Sequence, residues 1–518
     1  MRGPAYYMRK ETFHYLKENS ALIFLSLFKF LLLLLFAGNY GLFRDEYYYL
    51  ECSKHLSFGY VDQPPLSILI LAVSRTLFGE SILGIRVFAY IAGSVTVFVS
   101  GLLARELGGS KFAQSLTAIT VLFCGVILGT SGYYSMNVFD VLFSGLLFYY
   151  IIKLINRDDP KIWYTIGILF GIALQNKLTP LFIAFGLAAG LLLTKERKHF
   201  LRKEIYLGAL IALLIFLPHI IWQIANGFPT IEFMRNAAMH KNQHMSILEF
   251  SKNASFELNP GFVIFIITAF YFFFFNEAGK RYKIIGVLFA AVFLVFVFNN
   301  GKPYYMGVLY TVMLAAGSVG ADILITRFLK YWVRPILLLL MLPSIILVTP
   351  FAVPVLKVDS FINFSEFVGL KPGVGERSEQ GILPQFYADR FGWKEMVSKT
   401  AEVYNRLSPE EKKKAVIIAQ NYGEAGAVDY FGKEYGLQKV YSFHNSYWLW
   451  GPPSDWEGGI AIVMGLNKEY CGEFFEEVEL AAVHQNKYGM PYENLKIFLC
   501  RKTRMSVNKI WERVKVFI

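Results

Sequence analysis

The sequence has few charged residues and no paired cysteine motif. Charged side chains make up 17% of the 518 residues and hydrophobic ones 55%, with a mean hydropathy of +0.42. Soluble domains carry about 25% charged residues, so this composition indicates a chain that lies mostly in lipid. The four cysteines show no CxxC or Cys/His spacing, which argues against a structural zinc site. Internal repeats and low-complexity tracts, apart from the apolar runs themselves, are also lacking.

Apolar runs near the ~20 residues that cross a bilayer recur as far as Phe351. We expect a polytopic α-helical membrane domain of about eleven spans in residues 1–352 and a soluble domain in residues 353–518. The first run is longer than a signal peptide and lacks a cleavage site, and its Lys29 is expected to snorkel towards the headgroups. The run at 67–78 is expected to lie along the interface. The expected spans are 21–38, 84–104, 112–130, 137–155, 162–176, 179–194, 205–222, 260–275, 284–298, 305–326 and 335–352.

The net charge of +12 comes from lysine and arginine in short loops between the apolar runs. This distribution is typical of membrane orientation and does not indicate a nucleic-acid partner. By the positive-inside rule, the basic loops and the N-terminus are cytoplasmic. The 43–66 loop and the terminal domain are then on the opposite, extracytoplasmic side. The basic loops contain Arg105/Lys111, Lys153/Arg157/Lys161, Lys195/Arg197/Lys198/Arg202/Lys203, Lys280/Arg281/Lys283 and Arg327/Lys330/Arg334.

Helical and strand-like runs alternate in the terminal domain, after a loop at 371–380 that is rich in glycine and charge. This alternation predicts a small soluble α/β domain with a mainly parallel sheet. Cys471 and Cys500 both lie in it, and an oxidising compartment would permit a disulfide between them. Helices are expected at 393–407, 424–435 and 507–516, and strands at 415–420, 440–443, 460–465 and 495–500.

The most unusual polar stretch is FRDEYYYLECSKHLSFGYVDQPPL at 43–66. Asp45 and Glu46 are candidates for catalysis, although both also suit the first turn of a short helix. Asp62 and Gln63 precede two prolines, a pattern that also begins helices. The residues that we assign to a substrate loop are Asp62, Gln63, Tyr304 and Tyr305.

Further charged residues stand at the ends of apolar runs on the same side of the membrane. They suit transfer of a sugar from polyprenyl phosphate, a carrier that stays in the bilayer because each buried CH₂ contributes about 0.8 kcal/mol. An acceptor hydroxyl needs a base, for which Asp45 is the candidate. The departing phosphate needs cations, for which we select Lys302, assisted by Arg86 or Lys177. Asp140, at the outer end of the fourth span, is a second acidic candidate whose alternative is a solvated helix terminus.

The order of these motifs resembles the family 39-type members of the C-type glycosyltransferase superfamily. These include protein O-mannosyltransferases, the lipid A aminoarabinose transferase and related lipopolysaccharide glycosyltransferases. The resemblance covers the whole membrane domain. It is carried by FRDEYYYLECSKHLSFGYVDQPPL, Asp140, NKLTP and NGKPYYMGVLYTVMLAAG.

The resemblance implies the C-type fold and an active site on the outer face. The implied reaction is inverting transfer of one sugar from polyprenyl phosphate to a lipid, glycan or protein acceptor, in lipopolysaccharide or cell-surface glycan modification. It also implies that Asp45 is the base, with Glu46 beside it and Asp140 as a second acidic residue. One departure concerns Gln63, because relatives that handle aminoarabinose have lysine there. The phosphate contact of that position is therefore in doubt, and aminoarabinose is less expected as the sugar.

Two motifs of the terminal domain, AQNYGEAGAVDYFGKEYGL and SFHNSYWLWGPP, resemble the C-terminal domain of a bacterial subgroup of this family. The first contains a strand-to-helix turn at 421–423 whose helix N-terminus could hold an anion. Its spacing differs from the dinucleotide fingerprint and the P-loop. The second suits either sugar rings or packing, through His444, Asn445, Tyr447, Trp448 and Trp450.

His240 and His244 are four residues apart and would share one face of a helix. A divalent metal held with Glu232 or Asp140 is one alternative, because the resemblance includes a zinc-binding enzyme. Two interfacial histidines without a metal are the other alternative. No other cofactor is expected.

Two further functions fit a polytopic chain. A lipid-linked sugar transporter or flippase places ionisable groups near mid-membrane in repeated halves, whereas here they gather at outer helix ends without a repeat. A ligase that joins whole lipid-linked glycans would use nearly the same chemistry and stays open. The sequence favours a glycosyltransferase but specifies neither the sugar, nor the carrier length, nor the acceptor.

Overall fold

The computed structural model of the protein describes residues 14–370, 379–454 and 456–518. The contacts within the chain divide it into two compact units. The helical unit consists of the described residues up to Ala37, Leu83–Pro218 and His244–Val355. The mixed unit consists of Gly38–Ile82, His219–Gln243 and the described residues from Leu356 to Ile518. The first thirteen residues and most of the expected 371–380 loop lie outside the described residues.

Long apolar helices dominate the helical unit. Six helices in the described chain are long and apolar enough to cross a membrane: Ile82–Glu106, Met136–Arg157, Lys203–Ala225, Lys280–Phe298, Pro303–Phe328 and Val333–Ala352. Two bent pairs pass the same test as single spans: Lys111–Leu122 with Gly125–Ser131, and Ile247–Leu258 with Pro260–Phe275. The protein is a multi-pass membrane protein, as the sequence predicts, with six to eight such spans in its described part.

The expected count of eleven spans is not confirmed. Three of the expected segments form apolar helices of only 10–17 residues, namely Ser20–Leu35, Ile162–Asn176 and Pro180–Leu192. A helix of this length is shorter than the ~30 Å hydrocarbon core, because each residue adds about 1.5 Å. Short 3₁₀ segments occur at Lys195–Leu201, Pro260–Phe262, Lys280–Tyr282 and Pro303–Met306.

The sharper of the two bends has a cause in the sequence. Ile247–Leu258 and Pro260–Phe275 meet at 96°, and Pro260 lacks the N–H that would continue the helix. Asn259, between them, has a φ of +110°. Its side-chain oxygen accepts a hydrogen bond from the Gly261 N–H at 3.1 Å, which caps the second helix.

Small residues bring two helices of this unit into close contact. A Cβ atom at Gly317 would collide with the backbone oxygen of Phe265, and one at Gly320 with that of Thr268. The Thr268 hydroxyl donates to the Gly317 carbonyl oxygen at 2.9 Å. Membrane helices associate through such small faces and interhelical hydrogen bonds. The helix Gly307–Phe328 is accordingly buried along most of its length.

Lys29 corrects one expectation from the sequence. Its side chain is fully buried, and the Nζ atom lies 3.4 Å from the carbonyl oxygen of Ile127. Its Cε atom would lie 3.5 Å from a Cβ atom at Gly93, so a neighbouring helix covers the side chain. The prediction that Lys29 snorkels is therefore wrong.

The mixed unit contains one five-stranded sheet. Its strands are β1 (Ala415–Ala419), β2 (Val440–Ser442), β3 (Ile460–Met464), β4 (Phe475–Val483) and β5 (Lys496–Thr503). The spatial order is β2-β1-β3-β5-β4. β1 pairs in parallel with β2 and β3, whereas β5 pairs antiparallel with β3 and β4. The predicted α/β domain is confirmed, but its sheet is mixed and not mainly parallel.

The error arises at the antiparallel edge, because β4 is acidic over its first half and its short apolar run at 480–483 is not buried. Glu476, Glu477 and Glu479 are exposed along this strand. β4 forms one edge of the sheet. Charged side chains are common on edge strands, where they prevent pairing with other chains.

Helices precede, separate and follow the strands of this sheet along the chain. In Leu66–Phe78, the exposed residues Leu69, Val73 and Leu77 recur every four positions, which gives the apolar stripe that an interfacial helix needs. The helices of the mixed unit are Arg44–Cys52, Leu66–Phe78, Pro229–His240, Val358–Phe367, Gln385–Ala388, Trp393–Asn405, Pro409–Lys414, Tyr422–Phe431, Ser446–Leu449, Lys468–Phe474 and Val507–Arg513.

All four cysteines are buried free thiols. Cys471 and Cys500 lie in one apolar cluster of the mixed unit, and their side chains contact each other. The two thiols are therefore neighbours, and the disulfide that an oxidising compartment would permit stays a prediction.

Candidate active site

The first predicted residues lie on the helix Arg44–Cys52, which we call the acidic helix. The Glu46 carboxylate is buried and accepts a hydrogen bond from the Phe43 N–H at 2.7 Å. Glu46 therefore caps the N-terminus of its own helix, which satisfies a donor that the helix leaves unpaired. This is the structural alternative that the sequence left open for Glu46.

Asp45 occupies a different position. It is the second residue of the acidic helix, and Phe43 is the N-cap, so Asp45 does not cap the helix. Its Oδ1 accepts a hydrogen bond from the Tyr422 hydroxyl at 2.9 Å and lies 3.5 Å from Arg44 Nε. The Asp45 side chain is still 25% exposed. It is a fixed carboxylate that solvent or a substrate can reach.

Arg44 is held in place by two further residues. Its Nη1 donates to the Tyr492 hydroxyl at 2.6 Å, and that hydroxyl donates to Asp389 Oδ1 at 2.8 Å. The Arg44 backbone N–H also donates to the Asp389 carbonyl oxygen at 2.9 Å. Because these contacts fix Arg44, its positive charge stays beside Asp45.

A second helix, Tyr422–Phe431, packs directly on the acidic helix, and we call it the glycine helix. A Cβ atom at Gly426 would lie 2.7 Å from the carbonyl carbon of Tyr47. One at Gly423 would collide with the Arg44 side chain. The two glycines, three residues apart, therefore form the face through which this helix approaches Arg44 and Tyr47.

The N-terminus of the glycine helix is already occupied, which corrects the predicted anion site. The Asn421 side chain accepts hydrogen bonds from the Gly423 and Glu424 N–H groups at 2.8 and 3.0 Å. The Tyr422 N–H donates to His444 Nδ1 at 3.3 Å. Since these N–H groups already have protein acceptors, they are not available to bind an anion. An anion would also be repelled by the buried Glu424 carboxylate nearby.

Asp62 is linked to the acidic helix by a hydrogen bond. Its Oδ1 accepts from the Tyr48 hydroxyl at 2.8 Å, and Tyr48 lies 2.7 Å from Ser446 Oγ. Burial, with a smaller contribution from the nearby Asp45 charge, raises the pKa of Asp62 to about 6, although the hydrogen bond from Tyr48 acts to lower it. Asp62 and Asp45 are therefore electrostatic neighbours, as the predicted site requires.

Gln63 contributes a buried amide. It is 1% exposed, and its Oε1 accepts from the Ser67 hydroxyl at 3.3 Å. Its Nε2 is buried without an acceptor among the described residues. A buried donor without a partner costs about 1–3 kcal/mol, which makes this amide a candidate for contact with a bound molecule.

The side chains of the aromatic motif at 444–450 mostly pack against other residues of the mixed unit. His444, Asn445 and Tyr447 are buried, which favours the packing alternative for this motif over a sugar surface. Burial lowers the pKa of His444 to about 3, and the neutral ring accepts from Tyr422 and contacts the Ile518 carbonyl oxygen at 2.8 Å. Trp450 stacks on His55 with ring centroids 4.3 Å apart.

In the helical unit, the structure brings Asp140, Lys177, Tyr304 and Tyr305 together. Lys177 Nζ donates to Asn137 Oδ1 at 2.6 Å and lies 3.7 Å from Asp140 Oδ2. It also lies 4.9 Å from the centre of the Tyr305 ring and 5.7 Å from that of Tyr304. Asp140 is only 2% exposed, so it is a buried ion-pair partner and not a solvated helix terminus.

The other two predicted cations lie in the same unit. Arg86 is 1% exposed, and its Nη1 donates to the Ala37 carbonyl oxygen at 2.8 Å. Lys302 directly precedes the 3₁₀ segment Pro303–Met306, which carries the two tyrosines. A role for these cations at a phosphate stays a prediction.

The predicted histidine pair does not share a helix face. The helix Pro229–His240 ends at His240, because the Lys241 and Asn242 N–H groups both bond to the Ala237 carbonyl oxygen. His244 lies beyond it and contacts Asn300 Oδ1 at 3.0 Å. The described residues contain no group of three or more His, Cys, Asp or Glu placed to bind a metal. In the described part of the chain, His240 and His244 therefore lack the further ligands that a metal site would need.

One known protein family matches part of the chain. The profile of the family described as dolichyl-phosphate-mannose-protein mannosyltransferase matches residues 62–222. This segment includes Asp62, Gln63, Arg86, Asp140 and Lys177.

Curated proteins show the same similarity over parts of the chain. Undecaprenyl phosphate-alpha-4-amino-4-deoxy-L-arabinose arabinosyl transferase of Pseudomonas savastanoi pv. phaseolicola is 24% identical over 121 residues, 23% of each chain. The protein of that name from Pseudomonas paraeruginosa is 26% identical over 227 residues, 40% of each chain. Polyprenol-phosphate-mannose–protein mannosyltransferase of Corynebacterium glutamicum is 34% identical over 86 residues, 17% of this chain and 16% of that protein. The chain thus spans less than half the length of these relatives.

Solved structures share the fold. ArnT from Cupriavidus metallidurans bound to undecaprenyl phosphate has a TM-score of 0.58 at 12% identity, covering 92% of this chain and 97% of that one. The apo oligosaccharyltransferase of Archaeoglobus fulgidus has a TM-score of 0.51 at 13% identity, covering 83% and 64%. The chain therefore shares its fold with these two structures, and the partial matches to the family and to the curated proteins support the resemblance to family 39-type enzymes that the sequence motifs indicate.

Proposed function

We propose that this chain is an inverting glycosyltransferase that moves one sugar from polyprenyl phosphate to an acceptor hydroxyl. The observation that carries this function is the Asp45 carboxylate, which two side chains hold while a quarter of it stays exposed. The family match over residues 62–222 and the names of the relatives support a lipid-linked donor. The acceptor is a lipid, a glycan or a protein, in the modification of lipopolysaccharide or another cell-surface glycan.

In the proposed reaction, the acceptor oxygen attacks the anomeric carbon while the bond from that carbon to the carrier phosphate breaks. The acceptor proton passes to the Asp45 carboxylate, and the bonding electron pair leaves with the phosphate. A carboxylate is basic enough because the proton is lost only as the new bond forms. Attack from the face opposite the phosphate inverts the anomeric configuration.

The substrate loop contributes polar contacts to the sugar. The buried Nε2 of Gln63 needs an acceptor, and a sugar oxygen or a phosphate oxygen would provide one. Asp62, with a pKa raised to about 6 by burial, is partly protonated near neutral pH and can donate as well as accept a hydrogen bond. We assign Asp62 and Gln63 to donor recognition.

Cations of the helical unit are proposed to stabilise the leaving phosphate. Lys302 is the main ligand in this proposal, because positive charge lowers the energy of the departing phosphate without a proton donor. Lys177 already contacts Asp140, which is why it has the assisting role together with Arg86. Tyr304 and Tyr305 lie beside Lys177, and we propose that they also contact the substrate.

We propose that the protein lies in a bacterial inner membrane with a cytoplasmic N-terminus and a periplasmic C-terminus. The alternation of basic loops supports this orientation. We also propose that residues 1–352 form a membrane domain and residues 353–518 an extracytoplasmic domain. A reporter active only in the periplasm, fused after residue 518, should be active, and a fusion active only in the cytoplasm would contradict the orientation.

The function can be tested with purified full-length protein in proteoliposomes. The donors are undecaprenyl phosphates carrying mannose, glucose, galactose or aminoarabinose, and lipid A, a core oligosaccharide and a membrane protein extract serve as acceptors. We expect undecaprenyl phosphate to be released with one donor together with an acceptor one sugar heavier. Movement of the donor across the membrane without release would support a flippase, and transfer of whole glycans a ligase.

A further inference from the structure

We propose that Tyr422 is a positioning residue for the base: its hydroxyl holds Asp45 Oδ1 so that Oδ2 accepts the proton. This inference rests on the proposed function of Asp45 and gives the α/β domain a part in the reaction. Tyr422 follows Asp45 in the chain by 377 residues, yet its hydroxyl donates to the Asp45 carboxylate at 2.9 Å.

The Tyr422 side chain is fixed on several sides. Its ring centroid lies 4.7 Å from that of Tyr48 and 4.9 Å from that of His444. The Arg44 guanidinium lies 5.5 Å from the ring centre. Tyr422 is only 9% exposed, so its hydroxyl is presented in one direction. A donor fixed in this way fixes its acceptor as well.

The backbone that carries Tyr422 is equally constrained. Tyr422 is the first residue of the glycine helix, which begins directly after β1 and is capped by Asn421. Gly423 and Gly426 let the helix lie against the acidic helix, where a larger residue would collide with Arg44 or Tyr47. The conspicuous NYGEAG motif of the terminal domain is thus explained by its contact with the helix that carries Asp45.

The two oxygens of Asp45 are treated differently. Among the residues that the structure describes, the hydrogen bond from Tyr422 and the ion pair with Arg44 both reach Oδ1. Oδ2 is left as the oxygen that can accept a proton from a substrate hydroxyl.

The test compares Tyr422→Phe with Tyr430→Phe in the full-length protein. Tyr430 lies on the same glycine helix, and its hydroxyl donates instead to the Glu80 carbonyl oxygen at 3.0 Å. With the donor that the parent protein uses fastest, we expect Tyr422→Phe to move the acidic limb of the kcat profile upward by about one pH unit, the effect of one charge-assisted hydrogen bond. The KM for the donor should stay the same, and Tyr430→Phe should keep the parent profile.

A second measurement does not need activity. Because the Tyr422 hydroxyl donates to the Asp45 carboxylate, Tyr422→Phe should lower the thermal midpoint of the parent protein. In the Asp45→Ala background, which lacks the acceptor, the same change should lower the midpoint by less. If Tyr422→Phe folds poorly, Gly426→Ala, which displaces the helix but keeps the hydroxyl, should shift the same acidic limb.

The outcomes separate this inference from the proposed function. A Tyr422→Phe protein with a lowered midpoint and the parent pH profile would make the contact merely structural and overturn the inference. The function of Asp45 would still stand if Asp45→Asn were inactive. Full activity of Asp45→Asn would instead remove the base itself, whatever Tyr422 does.

Discussion

Replacing Gly426 with alanine tests whether the glycine helix has to lie directly on the acidic helix. The new Cβ atom would sit 2.7 Å from the carbonyl carbon of Tyr47 and 2.8 Å from its Cβ atom. Carbon atoms in contact prefer about 3.5–4.0 Å, so one helix has to move by roughly 1 Å. The Tyr47 atoms belong to the backbone or are attached directly to it, so they cannot rotate away.

Two contributions of opposite sign set the size of the effect. Alanine is the better helix former by about 1 kcal/mol, whereas overpacking typically costs about 1–3 kcal/mol. We expect Gly426→Ala to lower the free energy of unfolding by about 1–2 kcal/mol, because the clash is with backbone. Gly472 is the matched control, since it lies in the helix Lys468–Phe474 with no described atom near its Cβ position. There the same change should stabilise by up to about 1 kcal/mol.

The assay is the thermal midpoint of the purified protein, followed by release of polyprenyl phosphate. Gly426→Ala should melt below the parent and be less active at acidic pH, because the Tyr422 hydroxyl moves with the helix. Gly472→Ala should melt at or above the parent temperature and keep its activity. Equal melting temperatures and equal activities of the two variants would show that the close approach of the helices is not needed.

Two other predictions concern charge. Lys302→Ala should raise the KM for a lipid-linked donor roughly tenfold to a hundredfold, the effect of one charged hydrogen bond, with little change in melting temperature. The control is Lys468→Ala, which changes an exposed lysine. An unchanged KM in Lys302→Ala would contradict the phosphate role. Burial raises the pKa of Asp62 from 3.8 to about 6, so the folded state binds more protons than the unfolded state between these values and loses stability as the pH rises through them. Asp62→Asn should remove that loss, which melting curves at pH 4 and pH 7 will measure; an equal pH dependence in parent and variant would refute the assignment.

The sequence predicts those parts of the protein that depend on local pattern. Apolar runs predict the long helices, because a segment in lipid has to satisfy its backbone within itself. The Asp45-Glu46 pair predicts a functional carboxylate, because an acidic residue at the end of a membrane span is stable only when it is solvated, paired or used in catalysis. β1 and β3 are also predicted within a residue or two, because both are short apolar runs with buried side chains.

What the sequence does not predict are contacts between distant segments. The sequence around Tyr422 predicts only a strand-to-helix turn. Its hydrogen bond to Asp45 becomes visible only in the folded structure. The same holds for Tyr48, whose hydroxyl joins Asp62 to Ser446. One signal was available for the glycine helix: Gly423 and Gly426 are three residues apart, a spacing that places both on one face of a helix.

Local alternatives were also difficult to separate. Glu46 and Asp45 are adjacent and both acidic, and the structure gives the capping contact to Glu46 while Asp45 faces Tyr422. The choice depends on where the helix begins, which sequence predicts only within a few residues. The sequence does not reveal β4 because this edge strand is acidic over its first half and has only a short, partly exposed apolar run at 480–483.

The most direct test of the central claim is the activity of Asp45→Asn. Asparagine keeps the shape of the side chain and can still accept the Tyr422 hydrogen bond, but it cannot take a proton from the acceptor. Asp359→Asn is the matched control, because that carboxylate also accepts from a tyrosine, Tyr488, at 2.9 Å. With both variants folded, we predict that release of polyprenyl phosphate stops in Asp45→Asn and continues in Asp359→Asn. Release by Asp45→Asn at the parent rate would contradict the claim that Asp45 is the base.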